Sequence, residues 1–175
     1  MESAFSDLLA PLSSTRRAHT LEVGRKVRGV ASRLPETVRD DAVTAAYLHD
    51  VGYGFPATGF HPIDGANLLS TRRFSAAVCN LVAFHSAAVI EAEVRGLDAQ
   101  IFEPFALADA PDIDVASDFV WWADMTTGPT GETVTIDRRL AEIRERYEEG
   151  SVVRTAIDRS EPLLRAAVQR AEGSM

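Results

Sequence analysis

A single cysteine, Cys79, is the sharpest shortage in this 175-residue chain. One thiol cannot close an internal disulfide, so packing rather than covalent bracing must hold the fold. Cys79 also stands in the apolar stretch AAVCNLVAF, which predicts a buried, inert thiol and not a nucleophile. Positive charge is short as well: 18 Lys and Arg stand against 26 Asp and Glu, a net charge of −8. Such a surface repels a polynucleotide unless its basic residues gather on one face. The tight basic groups are Arg16-Arg17, Arg25-Lys26-Arg28, Arg72-Arg73 and Arg138-Arg139. Each reads as a solvated helix face, so long nucleic acid is not an expected partner. Also missing is an apolar run near the roughly 18 residues that cross a bilayer. The opening MESAFSDLLAPLSSTRR lacks the basic-then-apolar order of a secretory signal. The expectation is a cytoplasmic protein that does not enter a membrane. Finally, there is no convincing strand-like alternation, no internal repeat and no low-complexity segment.

What remains is helical periodicity. Apolar residues make up 46 % and charged residues 25 %, an ordinary globular balance, and the length suits one domain spanning 1–175. In SSTRRAHTLEVGRKVRGVASRL, Val23, Val27, Val30 and Leu34 recur at spacings of four, three and four, the buried stripe of a long helix. Ser13, Ser14 or Thr15 can cap it. A second helix is expected over 36–50, ending at Leu48-His49-Asp50 with Gly52 and Gly54 as stop signals. Residues 52–60 read as a loop, and His61-Pro62 as a helix entrance, because proline suits the first helical position. Further helices are expected from Phe74 to Val94, from Asp112 to Asp124, over 136–149 and, as two shorter ones, to the C-terminus. The breaker run TTGPTGE separates the last three from the rest. The fold class is an all-α helical bundle. The helices after residue 136 have two places open to them, within the monomer or against a second copy in a homo-oligomer.

The chain has only four histidines, and each falls on a different element: His19, His49, His61 and His85. Metal sites in helical bundles are built from side chains projecting inward from several helices, so this distribution draws notice. His49 is followed directly by Asp50. The two side chains point about 100° apart on a helix, yet both can reach an ion beside the helix terminus. Imidazole and carboxylate suit zinc, manganese or iron, and a carboxylate can bridge two ions. The dipeptide alone is weak: four histidines and thirteen aspartates give roughly 0.3 occurrences by chance. Its support is an ordered series, Arg16-x-x-His19, Leu48-His49-Asp50-x-Gly52, His61-Pro62-x-x-Gly65-Ala66, Phe84-His85 and Ala123-Asp124.

This series resembles the HD-domain metal-dependent phosphohydrolases over about residues 12–128. The resemblance implies a first metal held by His19, His49, Asp50 and Asp124, with His61 and His85 completing a second. It implies one or two divalent ions per chain, whether iron, manganese, cobalt or zinc, and a small phosphorylated substrate such as a nucleotide or related ester. Asp50 would then bridge the ions or serve as base, and Arg16, on the face of His19, would fork onto phosphate oxygens. The cyclic-dinucleotide branch of the family is not matched. That branch has a lysine where Tyr53 stands, and its downstream Gly-Tyr-Pro is replaced by Gly54-Phe55-Pro56 close to the His-Asp pair. Tyr53, Lys26 and Thr127 are weaker functional candidates. Trp121-Trp122 reads as a core pair, and Arg138 to Glu149 as a solvated helix held by opposite charges. Two other readings stay open: a di-iron oxygenase, which some small HD-fold proteins with four histidines and two aspartates are, and a regulatory domain that keeps metal without catalysis. The segment Val51 to Phe60 is the expected substrate entrance.

Overall fold

The computed structural model describes residues 2–175. Among them run nine α-helices, α1 (Ser6–Leu9), α2 (Ser14–Gly29), α3 (Arg39–Leu48), α4 (His61–Thr71), α5 (Ala76–Ala83), α6 (Ala88–Val94), α7 (Pro111–Met125), α8 (Ile136–Arg146) and α9 (Val152–Gly173). Short 3-10 turns connect several of them. No strand occurs among the described residues, only an isolated bridge between Thr127 and Thr133, so the all-α expectation holds.

Helix α3 lies at the centre, packed against α2, α5 and α7. Its six consecutive residues Val43 to Leu48, Thr44 excepted, are buried with Ala42, which is what a helix apolar on nearly every side requires. Small residues let its neighbours come close. A Cβ on Gly24 would stand 2.1 Å from Cδ1 of Tyr47, so glycine sets the α2–α3 distance. The predicted stripe of α2 is there: Val23 and Val27 are fully buried, and Leu34 is reached through a 3-10 turn after the helix ends at Gly29. Ser13 is the residue that caps α2, its hydroxyl accepting from the Arg16 N–H at 3.2 Å.

Two expected helix boundaries are corrected. The stretch from Phe74 to Val94 is not one helix. It breaks after α5 into a 3-10 turn at His85–Ala87, where Ser86 and Ala87 take left-handed φ values of 47° and 60°. Residues Ala76–Val94 also show that an apolar run of membrane-spanning length does exist, at a mean hydropathy of 1.4 over 19 residues, contrary to expectation. Half of it is buried within the protein, and the left-handed pair interrupts its axis. At the other end, the two short C-terminal helices are one helix of 22 residues with Pro162 inside it. An internal proline costs about 3 kcal/mol. The buried stripe Ala156, Ser160, Leu164, Ala167, Val168 and Ala171 offsets that cost, since each fully buried Leu or Val contributes roughly 1.5–3 kcal/mol.

Helices α8 and α9 pack within the chain, α9 on α6, α7 and α8. With Met125, they form a second apolar cluster of Leu140, Ile143, Leu164 and Val168. Trp121 and Trp122 are half-buried between this cluster and the main core, a packing role as the sequence suggested. Cys79 is buried, and burial pushes its thiol up, which keeps it protonated and inert.

Candidate metal centre

Helix ends deliver most of the site. His19 sits in the second turn of α2, His49 and Asp50 follow α3, His61 opens α4, His85 follows α5 and Asp124 lies in the last turn of α7. Two glycines bring the second and third of these together. A Cβ on Gly52 would lie 2.0 Å from the His61 carbonyl oxygen and 2.6 Å from the Gly65 nitrogen. Both contacts are backbone and cannot yield, so the turn after Asp50 can rest on the first turn of α4 only with glycine there. Gly52→Ala is expected to cost at least about 3 kcal/mol, the upper range of overpacking, and to lower the Tm by roughly 6–12 °C in a calorimetric melt. Asp64 fastens the preceding loop: its carboxylate accepts from Thr58 N and Oγ1, both at 2.7 Å, and from Gly59 N at 3.1 Å.

The structure brings all six predicted ligands into one cluster of two halves. In the first, His19, His49 and Asp124 offer ligand atoms that all lie within 4.8 Å of one another, and Asp50, His61 and His85 do the same in the second. Asp50 faces both: Oδ2 is 3.4 Å from His49 Nε2, and Oδ1 is 3.5 Å from His61 Nε2. His19 Nε2 lies 3.0 Å from Asp124 Oδ1, and His61 Nε2 lies 3.3 Å from His85 Nε2.

The imidazoles are oriented from behind. Nδ1 of His19 meets the Gly128 carbonyl at 3.1 Å, that of His49 the Ala46 carbonyl at 2.9 Å, and that of His85 the Val82 carbonyl at 2.7 Å. A carbonyl only accepts, so each Nδ1 carries a hydrogen, and Nε2 is the ring atom left facing the cluster. His49 Nε2 is buried and makes no hydrogen bond. A buried Nε2 with no partner is costly unless something fills the space before it, and a cation among two carboxylates and four imidazoles does so. The residues therefore fit a divalent metal.

Charge in the cluster is strongly perturbed. Burial alone would raise both carboxyls, but His49 and Arg16 hold Asp50 well below the usual carboxylate range, and His19 and His49 do the same to Asp124. Burial works against a proton on His49, yet the Asp50 and Asp124 carboxylates outweigh it and raise the imidazole to about 9. Burial lowers His61 and His85, and their mutual repulsion with neighbouring imidazoles adds to it. The sign for the metal-free protein follows. The depressed carboxyls stabilise it above pH ~4 and the depressed histidines above pH ~6.5, while the raised His49 stabilises it below pH ~6.5 and loses that effect as pH climbs through about 9. Chelator-treated protein is expected to be most stable near pH 6.5, to lose stability as pH rises toward 9, and to lose it in two stages on acidification, below pH 6.5 and again below about pH 4, in melts recorded across pH.

A pocket of about 110 Å³ opens on the cluster, with Asp50, His61, His85 and Asp124 at its base. Arg16 lines it as predicted, donating from Nη1 to Asp50 Oδ2 at 2.7 Å, with its guanidinium 4.2 Å above the Tyr53 ring. Tyr53 stacks on His61, ring centres 4.0 Å apart. Two weaker candidates fall outside. Lys26 donates to the carbonyl and hydroxyl of Thr126, and the Thr127 hydroxyl donates to the Ala123 carbonyl in full burial, so both act as structural ties. The entrance expectation is corrected too: of Val51 to Phe60 only Tyr53 lines the pocket, because Val51 and Gly52 are buried under α4.

Other lining residues escaped sequence reasoning. Ser86 donates to Asp124 Oδ2 at 2.5 Å, placed there by its left-handed backbone. Arg139 and Arg146 of α8 line the pocket as well, and Arg139 is 7 % exposed, so the charged run 138–149 is not solvated throughout. Its buried side carries Arg139, Leu140 and Ile143 toward α7 and α9. The helical spacing of Arg139, Ile143 and Arg146 was a readable sign of one shared face.

An all-α bundle whose buried imidazoles and carboxylates converge in this way is a helical protein with groups that could hold a metal. The HD-domain family model matches residues 16–125, more than half of the chain, and the chain belongs to the HD-domain family. The matched segment starts at Arg16, ends one residue past Asp124, contains all six ligand residues and leaves out α8 and α9. No curated protein and no solved structure matches the chain. HD domains bind divalent metals and are generally metal-dependent phosphohydrolases, so membership points to a metal-dependent function of the hydrolase type.

Proposed function

We propose that this protein is a dinuclear metal-dependent phosphohydrolase acting on a small phosphorylated molecule, a nucleotide or related phosphate ester. The observation that carries this reading is Asp50, with one oxygen toward His49 and the other toward His61, beside the guanidinium of Arg16. His19, His49 and Asp124 would hold one ion, His61 and His85 the other, and Asp50 both. Bound divalent ions activate water near neutral pH and offset charge on phosphoryl oxygens. The protein's own groups do the rest. Asp50, held so far below the carboxylate range, is a poor proton acceptor and serves as ligand. Arg16 keeps spare donors beyond its bond to Asp50 and turns them on the phosphoryl oxygens. Tyr53 fixes the His61 ring by stacking and covers that side of the pocket. The chain's acidity favours a small substrate over a polynucleotide.

The test is phosphate release from a panel of nucleotides and phosphate esters by protein loaded with manganese or cobalt. Turnover that requires metal and stops with chelator supports the reading. Arg16→Met, assayed at saturating metal, is expected to lower kcat/KM by roughly 10–100-fold, the effect of one lost charge-assisted bond. The complete set of four histidines and two aspartates also suits a di-iron oxygenase, since iron accepts these ligands. Substrate-dependent oxygen uptake by reduced, iron-loaded protein, with no phosphate release across the panel, would replace the first reading with this one.

A further inference from the structure

Arg16, Arg139 and Arg146 line a second cleft, of about 90 Å³, as well as the pocket over the ligand cluster. The second cleft adds His19 and the hydroxyl residues Ser13 and Thr15, and no carboxylate lines it. It opens at the amino end of α2, where backbone N–H groups have no partner inside the helix and favour an anion. Helix α8, beyond the segment shared with the family, supplies two of the three guanidiniums. Glu142 joins them, accepting from Arg139 Nη1 at 2.6 Å and from Arg146 on its other oxygen. Two guanidiniums against one carboxylate leave a net positive charge. Arg139 is more than nine-tenths buried, and its Nε has no hydrogen-bond partner. A buried guanidinium with an idle donor is costly to keep, and an oxyanion is the group whose geometry its fork matches.

We infer that this arginine cleft is a second anion subsite, so that the substrate carries two phosphoryl groups, one over the ligand cluster and one between Arg139, Arg146 and the start of α2. The inference rests on the phosphohydrolase reading and narrows its substrate to diphosphates and bisphosphates. Arg16 lines both cavities, as Arg139 and Arg146 do, and it alone of the three is bonded to Asp50 of the cluster. Glu142 holds the α8 arginines in register, and the first residues of α2 close the far side.

Calorimetric titration of the manganese-loaded full chain with inorganic phosphate and with pyrophosphate tests the subsite, with metal content measured before and after. Pyrophosphate is expected to bind at least tenfold more tightly than phosphate. In the Arg139→Met/Arg146→Met double variant the two anions should bind within twofold of each other, with metal content unchanged. Arg146→Met alone, at a more exposed position, guards against misfolding of the double variant and should cut the preference at least threefold. A wild-type protein that binds both anions equally, or a preference that survives both variants, overturns the subsite and leaves the phosphohydrolase reading standing. Failure of the metal-loaded protein to bind either anion overturns both.

Discussion

His49→Ala protein is expected to lose at least half of its bound metal and more than about a hundredfold of its hydrolytic rate. Removing even an outer partner of a metal ligand costs roughly 10–100-fold, and His49 is placed as a direct one. Its Nε2 lies 3.4 Å from Asp50 Oδ2 and 3.9 Å from Asp124 Oδ1, buried and without a hydrogen bond. No other imidazole has the right position to replace it, because His19 is held to Gly128 and Asp124. His49→Gln, closer in size, separates lost ligation from the cavity that alanine leaves. Full metal content in both variants, measured by elemental analysis on protein purified without chelator, would sink the assignment.

Asp50→Asn should do more, although it changes the shape of the side chain hardly at all. Asp50 faces both His49 and His61, so on the proposed bridging role replacing one oxygen by an amide and removing the charge weakens both positions at once. Metal content is expected to fall below half an ion per chain, whereas His85→Ala, which removes a ligand atom grouped with Asp50 and His61 only, should retain about one. The same substitution leaves Arg16 without its 2.7 Å anionic partner. Loss of a partner from a buried or half-buried pair is strongly destabilising, so the Tm of the metal-free variant should fall as well. An Asp50→Asn protein that keeps one full equivalent of metal would defeat the bridging role and favour a site in which Asp50 serves one ion only.

Much of this was readable before the coordinates. The α2 stripe follows from the spacing of Val23 and Val27, and His19, one turn before Val23, had to be buried with them. The resemblance of the His and Asp motifs to HD-domain proteins implied all six residues that the fold gathers. The break at Ser86 and Ala87 was not readable, because AVCNLVAFHSAAVIEAEV contains neither glycine nor proline. Its left-handed residues cost about 1–2 kcal/mol each, and tertiary contacts impose them: His85 turns back to Val82, and Ser86 reaches Asp124. Arg139 was hidden for a related reason. A charged helix reads as solvated until the fold lays one of its sides against a pocket that needs positive charge. The two shorter C-terminal helices expected from the sequence are one, because the apolar stripe of α9 carries the helix through Pro162.

The carbonyls that orient His49 and His85 belong to the last turns of α3 and α5, each three residues back along the chain. In a continuing helix those oxygens would be claimed by the backbone N–H four residues on. Termination of each helix and aiming of each imidazole are thus a single event, with one hydrogen bond serving both. Any change that lengthens α3 or α5 by one turn would withdraw the carbonyl into the ladder and leave the ring free to rotate. The metal centre is therefore tuned by where two helices stop, and residues with no contact to any ion can disable it by failing to end a helix on time.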